Sequence, residues 1–313
     1  MNYINFTKEL EQLVQKKLGE QYQVSMIQIL KNNGLTKDAI LIKENNSNLC
    51  PNIYLEHFYE RFCECESLDE ISDEIINFYH EASSQKPQDM EDYFAFENYR
   101  KRLFLRIIHF ESNQILLENV PYIPYLDLAI TFHCLISDYH QGMHFFTVSN
   151  ALLEEWGISV DKLYQIALEN TQHLFPAHID TLEHILNQLL YTPHSYQTIL
   201  SNTNFETELS NISDKKKFQI FVITNQYGVN GATVILYPHL LEHIAEKLQS
   251  NLYLLPSSIH EFLVLSDAES FCQTLSEMVL KVNTHEVSKE EILSNQVYFY
   301  DWKAHRLTEK ADN

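Results

Sequence analysis

The stretch 217–264, KFQIFVITNQYGVNGATVILYPHLLEHIAEKLQSNLYLLPSSIHEFLV, reads as strand, turn, strand, helix, strand. Phe218 to Asn225 and Ala232 to Leu236 are apolar runs short enough for strands. Asn230-Gly231 between them supplies residues able to take positive φ, so the two runs are expected to pair as a hairpin. Leu240, Leu241, Ile244, Ala245 and Leu248 then recur at helical spacing and predict a helix with one apolar face. The run from Leu254 to Glu261 carries Pro256, Ser257, Ser258 and His260 and predicts a proline-set turn, its hydroxyls bonded to local backbone, ahead of a strand over Ile259 to Leu265. Strands and helices interleaved in this way give an α+β protein with mixed or antiparallel sheets and packed helices.

Working outward, Gln296 to Trp302 is expected to close the sheet as an edge strand. Ala268 to Val282 forms a helix burying Phe271, Leu275, Met278, Val279 and Val282. Upstream, Pro193 to Lys216 is rich in Ser, Thr and Asn and reads as a long solvated excursion. Before it lie strands over Asp127 to Ile136 and Met143 to Val148, joined around His140-Gln141-Gly142, and helices over Asn150 to Trp156 and Val160 to Asn170. Arg102 to Phe110 is a strand or a helix. Leu152-Leu153-Glu154 and Leu240-Leu241-Glu242 each follow an expected hairpin, which suggests two related β-β-α units.

The first part of the chain has its own pattern. Phe6, Leu10, Leu13 and Val14 mark one face of a helix over residues 4–18, and Tyr22 to Leu30 and Leu35 to Lys43 predict a hairpin around Asn32-Asn33-Gly34. A helical stretch near Ile53 to Phe62 and a second helix from Ser67 follow. Ser67 and Glu70 there have capping-box spacing, and Ile71, Ile75, Phe78 and Tyr79 form the apolar face. The polar, proline-bearing run 83–89 suggests a boundary near residue 88, with a subdomain over 1–88 and a main domain over 89–313.

Composition limits the function classes. The formal charge is -21, from 22 Lys and Arg against 43 Asp and Glu, which repels phosphate backbones and anionic membranes and argues against direct nucleic-acid binding. Arg100, Lys101, Arg102 and Arg106, flanked by Glu97 and Glu111, read as an ion-paired face. Five scattered cysteines fit reduced thiols in a cytoplasmic compartment, and no apolar run is long enough to span a membrane.

Motif chemistry is incomplete at every candidate. Cys63-Glu64-Cys65 lacks a second ligand pair for zinc and reads as a helix end with one cysteine buried and one exposed. The 15 histidines include no His-Glu-x-x-His pattern, because Val264 stands where a second ligand to His260 would be needed; His133, His178, His184, His239, His243 and the others read as surface or boundary residues. Gly228-Val229-Asn230-Gly231 is too short in glycine to cradle a phosphate. Ser257, Ser258, His260 and Glu261 are the residue types of a hydrolase, yet alternation along a strand would send His260 and Glu261 to opposite faces. No metal or cofactor is expected. The candidate binding residues are Asn230, Gly231, Tyr237, Ser257, Ser258, His260 and Glu261.

Cys50-Pro51-Asn52-Ile53-Tyr54-Leu55, Tyr125-Leu126-Asp127-Leu128-Ala129-Ile130, Trp156-Gly157-Ile158-Ser159, Asn230-Gly231-Ala232, Leu236-Tyr237-Pro238 and Leu255-Pro256-Ser257-Ser258-Ile259-His260-Glu261 carry a resemblance. In these residues the chain resembles an uncharacterised family, a domain of unknown function of clostridial-type gut bacteria, from about residue 50 onward. The resemblance implies a bacterial cytosolic protein and no particular activity. Three functions stay open: a non-enzymatic module binding a protein partner, an acidic decoy that occupies the basic channel of a nucleic-acid-binding protein, and a hydrolase or transferase using His260 and Glu261.

Overall fold

A computed structural model describes residues 1–44, 51–84, 95–137, 144–191, 200, 205–211, 220–266 and 272–309. The chain divides into two compact units, Met1–Phe94 and Ala95–Asn313. The expected boundary near residue 88 and the turn around residues 140–142 fall outside the described residues.

In the first unit the helix Tyr3–Leu18 is capped by Asn2, whose side chain accepts from the Asn5 amide, and buries Phe6, Leu10 and Val14. Strands β1 (Tyr22–Leu30) and β2 (Thr36–Glu44) pair antiparallel from Tyr22↔Glu44 to Leu30↔Thr36. Asn33 and Gly34, at φ 58° and 69°, turn the chain between them. The helical stretch expected near Ile53 to Phe62 is split: β3 (Asn52–Tyr54) adds to the open edge of β2, and the helix begins only at Glu56. That edge offers backbone partners that a solitary helical turn would forgo. The helix Leu68–Ser84 has the predicted reciprocal cap: the Glu70 amide donates to Ser67 Oγ at 3.2 Å and the Ser67 amide donates to Glu70 Oε2 at 3.1 Å. Ile71, Ile75 and Tyr79 join the core, whereas Phe78 is exposed, one position round the helix from Tyr79. Cys63 and Cys65 are both exposed, at a helix end whose side chains face solvent.

The second unit carries two antiparallel sheets. In one, β4 (Leu103–His109) and β5 (Tyr122–Tyr125) flank β6 (Leu128–Ser137), which also pairs β7 (His144–Thr147). In the other the order is β13-β12-β10-β11-β9-β8, formed by β8 (Ala177–Thr181), β9 (Ile220–Asn225), β10 (Leu252–Ser258), β11 (Glu261–Ser266), β12 (Tyr298–Asp301) and β13 (Arg306–Glu309). β12 is therefore interior and β13 takes the edge expected of Gln296 to Trp302. The helix Val160–Leu174 lies on β4, where Thr171 Oγ1 accepts from the Leu105 amide at 2.9 Å. The helix Cys272–His285 buries Leu275 and Val279 but leaves Met278 and Val282 exposed. Within the expected excursion 193–216, Phe205–Asn211 is a helix that sends Glu208 Oε2 to the Ile179 amide at 2.9 Å.

The principal departure from expectation is at Ala232 to Leu236. These residues form a 3-10 segment, Gly231–Leu236, with Gly231 to Ile235 all buried. β9 is bonded on one side by β11 and on the other by β8, so no edge of it remains for a hairpin partner. The chain instead coils at the short rise of a 3-10 turn and packs its apolar residues end-on. With no hairpin there, the expected pair of β-β-α units is not formed: β6, β7 and the helix Asn150–Trp156 have that form, whereas β9, Gly231–Leu236 and the helix Leu240–Leu248 do not.

Candidate functional site

The predicted site residues gather where the end of β9 meets the β10–β11 hairpin. Pro256 lies inside β10, opposite Phe262, and the register shifts between Pro256 and Ser258. The turn itself is Ile259-His260, so the proline ends a ladder position rather than setting the turn, as a residue without an N–H does at a bulge. Ser258 Oγ accepts from the His260 amide at 3.0 Å, the local backbone bond expected of that hydroxyl.

His260 is tied down on every side. Its Nδ1 accepts from the Asn230 amide at 3.1 Å, and its Nε2 faces Glu291 Oε1 at 3.4 Å. An amide N–H only donates, so Nδ1 carries the lone pair and the ring proton sits on Nε2, directed at Glu291. The His260 carbonyl accepts from Thr224 Oγ1 at 2.7 Å. Glu291 also acts through its backbone, its carbonyl accepting from the Ile259 amide at 2.8 Å. Ala232 donates to the Ile259 carbonyl at 3.2 Å, which fastens the 3-10 segment to the same hairpin.

Asn225 shapes the approach: its Nδ2 donates to the Val229 carbonyl at 2.8 Å and its Oδ1 accepts from the Tyr227 amide at 2.9 Å. Asn230 sits at φ 54°, a left-handed conformation that asparagine tolerates. Gly231 is required for a different reason. A Cβ there would stand 2.0 Å from Thr224 Oγ1, 2.5 Å from the His260 carbonyl oxygen and 2.7 Å from the Asn225 nitrogen. Asn230 and Gly231 are buried, while Ser257, Ser258, His260 and Glu261 are half-buried. Tyr237 closes the inner side, its hydroxyl donating to the Phe175 carbonyl at 2.7 Å.

The space enclosed by Asn225, Val229, Asn230, Thr233, Tyr237 and Thr171 is too small to admit a water molecule. Thr233 Oγ1 is buried there without a hydrogen-bond partner among the described residues. A separate open cleft of ≈ 280 Å³ is lined by Gln172, Pro176, Phe205, Gln226, Pro238 and His243, among others. Beside it His239 Nδ1 meets Glu242 Oε2 at 2.8 Å and His305 Nδ1 meets Glu242 Oε1 at 3.2 Å. The His239 hydrogen bond holds the Glu242 carboxyl below the usual carboxylate range, with His305 adding to it. Among the described residues no group of three or more His, Cys, Asp or Glu is placed to hold a metal ion.

Sequence reasoning missed a second polar cluster. Asp127 accepts from Ser294 Oγ at 2.5 Å and from the Tyr298 hydroxyl at 2.6 Å, linking the two sheets. Burial, then the Asp127 charge, pushes the Tyr298 phenol far above its ordinary value. His109 lies between Asp127, 3.8 Å from Nε2, and Ser112, whose Oγ is 2.7 Å from Nδ1. The Ser112 amide also donates to Nδ1 at 3.3 Å, so the imidazole caps the turn three residues on. Ser112 is exposed, and the carboxylate is beyond hydrogen-bond reach of the ring. The only forewarning in the sequence is Leu126-Asp127 between two apolar runs; Leu126 takes φ 57°, a costly value for leucine, and thereby presents Asp127.

Two of the histidines read as surface or boundary residues are buried. His133 lies on β6 between Thr131 Oγ1 at 3.0 Å and Thr147 Oγ1 at 3.2 Å. Burial, and secondarily Arg106, hold it neutral with its pKa well below the usual histidine value. His178 is buried against Glu208, 2.7 Å away. Of the expected basic face, Arg100 pairs Glu97 at 3.7 Å, whereas Arg106 lies over the Phe145 ring at 5.1 Å, its pKa pushed down to about 10 by burial.

No helix among the described residues is long and apolar enough to cross a membrane. No curated protein and no solved structure matches the chain. One family model does, over residues 3–302, so the match takes in the helix and hairpin before residue 50 as well as the later motifs. The chain belongs to that family, a family of unknown function (DUF5688).

Proposed function

We propose that the protein is a non-enzymatic module that acts in the cytoplasm by binding a protein partner, and that the residues around His260 build its frame. The observation that supports this reading most is the engagement of both His260 nitrogens, Nδ1 by the Asn230 amide and Nε2 by Glu291. A general base needs a lone pair within reach of a substrate proton, and the lone pair of this ring is spent on backbone. The carboxylate that reaches the ring is Glu291, from outside the Ser257 to Glu261 run. Half-buried Ser257, Ser258, His260 and Glu261 remain at the rim, where they contribute contact rather than bond-making. The N-terminal subdomain over 1–88, with a hydrophobic core of its own, supplies a second body for such contacts.

A basic partner suits a chain of charge -21, and an acidic decoy of a nucleic-acid-binding protein is the special case in which that partner's surface is a nucleic-acid channel. The test pairs two assays on the full chain. Cross-linking in native bacterial lysate followed by mass spectrometry should recover a stoichiometric protein partner. A broad screen of ester, amide, phosphate and glycoside substrates should show no turnover. Turnover that disappears in the His260→Ala, Glu261→Ala double variant, with no partner recovered, contradicts the reading.

A further inference from the structure

β1 is an edge strand of the three-stranded sheet, and its register with β2 runs unbroken from Tyr22 to Leu30. A side chain of the helix Tyr3–Leu18 shows which of its main-chain groups point away from β2: Gln15 Nε2 donates to the Tyr22 carbonyl at 3.0 Å, and Gln15 Oε1 accepts from the Val24 amide at 2.9 Å. The hydrogen-bonding direction alternates along a strand, so Met26, Gln28 and Leu30 present their N–H and C=O groups on the same outer edge. Gln15 closes that edge at Tyr22 and Val24 and reaches no further. Among the described residues nothing bonds the outer main-chain groups from Met26 to Leu30.

The chain manages its other sheet edges. On β4 the Leu105 amide is taken by Thr171 Oγ1; β5 carries Pro124; on β8 the Ile179 amide is taken by Glu208 and the Thr181 amide by Asp180 Oδ1. β3, β7 and β13 are only three, four and four residues long. β1 has nine residues, no proline, no bulge and no charge between Glu20 and Lys31. The devices that keep an edge from pairing are missing from its open part, which marks that part as one to be paired.

The open part is complementary to itself. Under a two-fold axis at Gln28, antiparallel pairing sets Met26 of one copy opposite Leu30 of the other, so each open amide from Met26 to Leu30 meets an open carbonyl, and the end held by Gln15 stays outside the pairing. Side chains match in the same register. Met26 meets Leu30 on one face and Ile27 meets Ile29 on the other, all four half-buried in a single copy, while exposed Gln28 meets Gln28. Lys31 comes opposite Ser25, not opposite a like charge. A chain at -21 repels its own copy wherever acidic groups meet, and this edge brings none to the contact.

We propose that the protein forms a dimer through β1, the two three-stranded sheets joining antiparallel about a two-fold axis at Gln28 into one continuous sheet. The pairing consumes the open edge of both copies, so the assembly closes rather than grows. This inference goes beyond the reading of the protein as a binding module and does not rest on it.

Sedimentation velocity of the full chain between about 1 and 100 µM should show a monomer passing to a dimer with rising concentration. Raising salt from about 50 to about 300 mM should tighten the dimer, because salt screens the repulsion of two acidic copies and leaves main-chain bonds in place. Gln28→Pro removes the amide that each copy donates at the axis, an amide that β2 does not use, and should weaken dimerisation by about tenfold or more. Hydrogen exchange on the parent gives a second reading that needs no variant. The Met26, Gln28 and Leu30 amides should exchange slowly in the dimer and fast on dilution, while the Val24 amide, held by Gln15 in both states, should not change. A monomer at every concentration overturns the proposal, as does a dimer in which those three amides stay fast or that Gln28→Pro leaves undiminished. Protection of the three amides only when a different protein is added gives the edge to a foreign strand and overturns it too. If Gln28→Pro does not fold, the exchange pattern of the parent decides alone.

Discussion

Asn33-Gly34 and Asn230-Gly231 are the same dipeptide in two settings. At the first, both residues take positive φ, the strands on either side pair in register from Leu30↔Thr36 outward, and the glycine is exposed. At the second, only the asparagine is left-handed; the glycine is there because Thr224, Asn225 and the His260 carbonyl leave no volume for a Cβ. One dipeptide bends a chain that is already going to pair with itself, and the other lets three segments touch. What separates them is whether the strand before the turn still has an open edge: β1 has β2, whereas β9 is occupied by β8 and β11.

The sharpest way to break this comparison is to add one methyl at each glycine. Gly231→Ala should destabilise by about 3 kcal/mol or prevent folding, since the nearest obstructions include backbone, whereas Gly34→Ala should cost about 1 kcal/mol for the left-handed φ alone. Denaturant titration of both variants measures the gap, and equal costs would mean that Gly231 is a turn glycine after all.

His260→Ala comes next. It strips the partner from the Asn230 amide and should cost about 2 kcal/mol. Gly34→Ala, at about 1 kcal/mol, should remain the smaller of the two losses. Thermal unfolding of the two variants checks the order.

The comparison is sharpened in the opposite direction by Thr233→Val. It replaces a buried, unsatisfied hydroxyl at the second site with a methyl and should stabilise by up to about 1 kcal/mol. A loss of stability instead would reveal a partner for that hydroxyl.

The smallest effect is on acid response. His133 is held neutral in the folded unit, so its folded pKa lies below the unfolded value of about 6.5. Only the unfolded chain takes up this proton as pH first falls, so the stability it permits is present above about 6.5 and is lost progressively below it. His133→Gln should flatten that part of the stability profile, measured as denaturation midpoint against pH.

How legible all this was depended on how local its causes are. The helix Tyr3–Leu18, the hairpin at Asn33-Gly34 and the Ser67–Glu70 cap were readable because each is fixed by residues within a few positions of one another. The 3-10 form of Gly231–Leu236 was not, because an apolar β-branched run is a strand only where an edge is free, and that is settled by β8 and β11 from far along the chain. Of the candidate site, Ser258, His260, Asn230 and Gly231 were legible as candidate residues, but Glu291, which meets His260, was not, nor was the gathering of Ser294 and Tyr298 on Asp127. Glu291 and Ser294 come from a segment with no periodicity of its own, and a carboxylate arriving from such a loop leaves no spacing to read.

The central claim is that the His260 ring holds backbone in place, and the tautomer of that ring tests it most directly. Long-range ¹⁵N NMR of the imidazole at neutral pH should find Nδ1 without a proton, coupled across a hydrogen bond to the Asn230 amide, and Nε2 protonated toward Glu291. A ring protonated at Nδ1, with a free lone pair at Nε2, would be an imidazole poised to act as a base and would contradict the account.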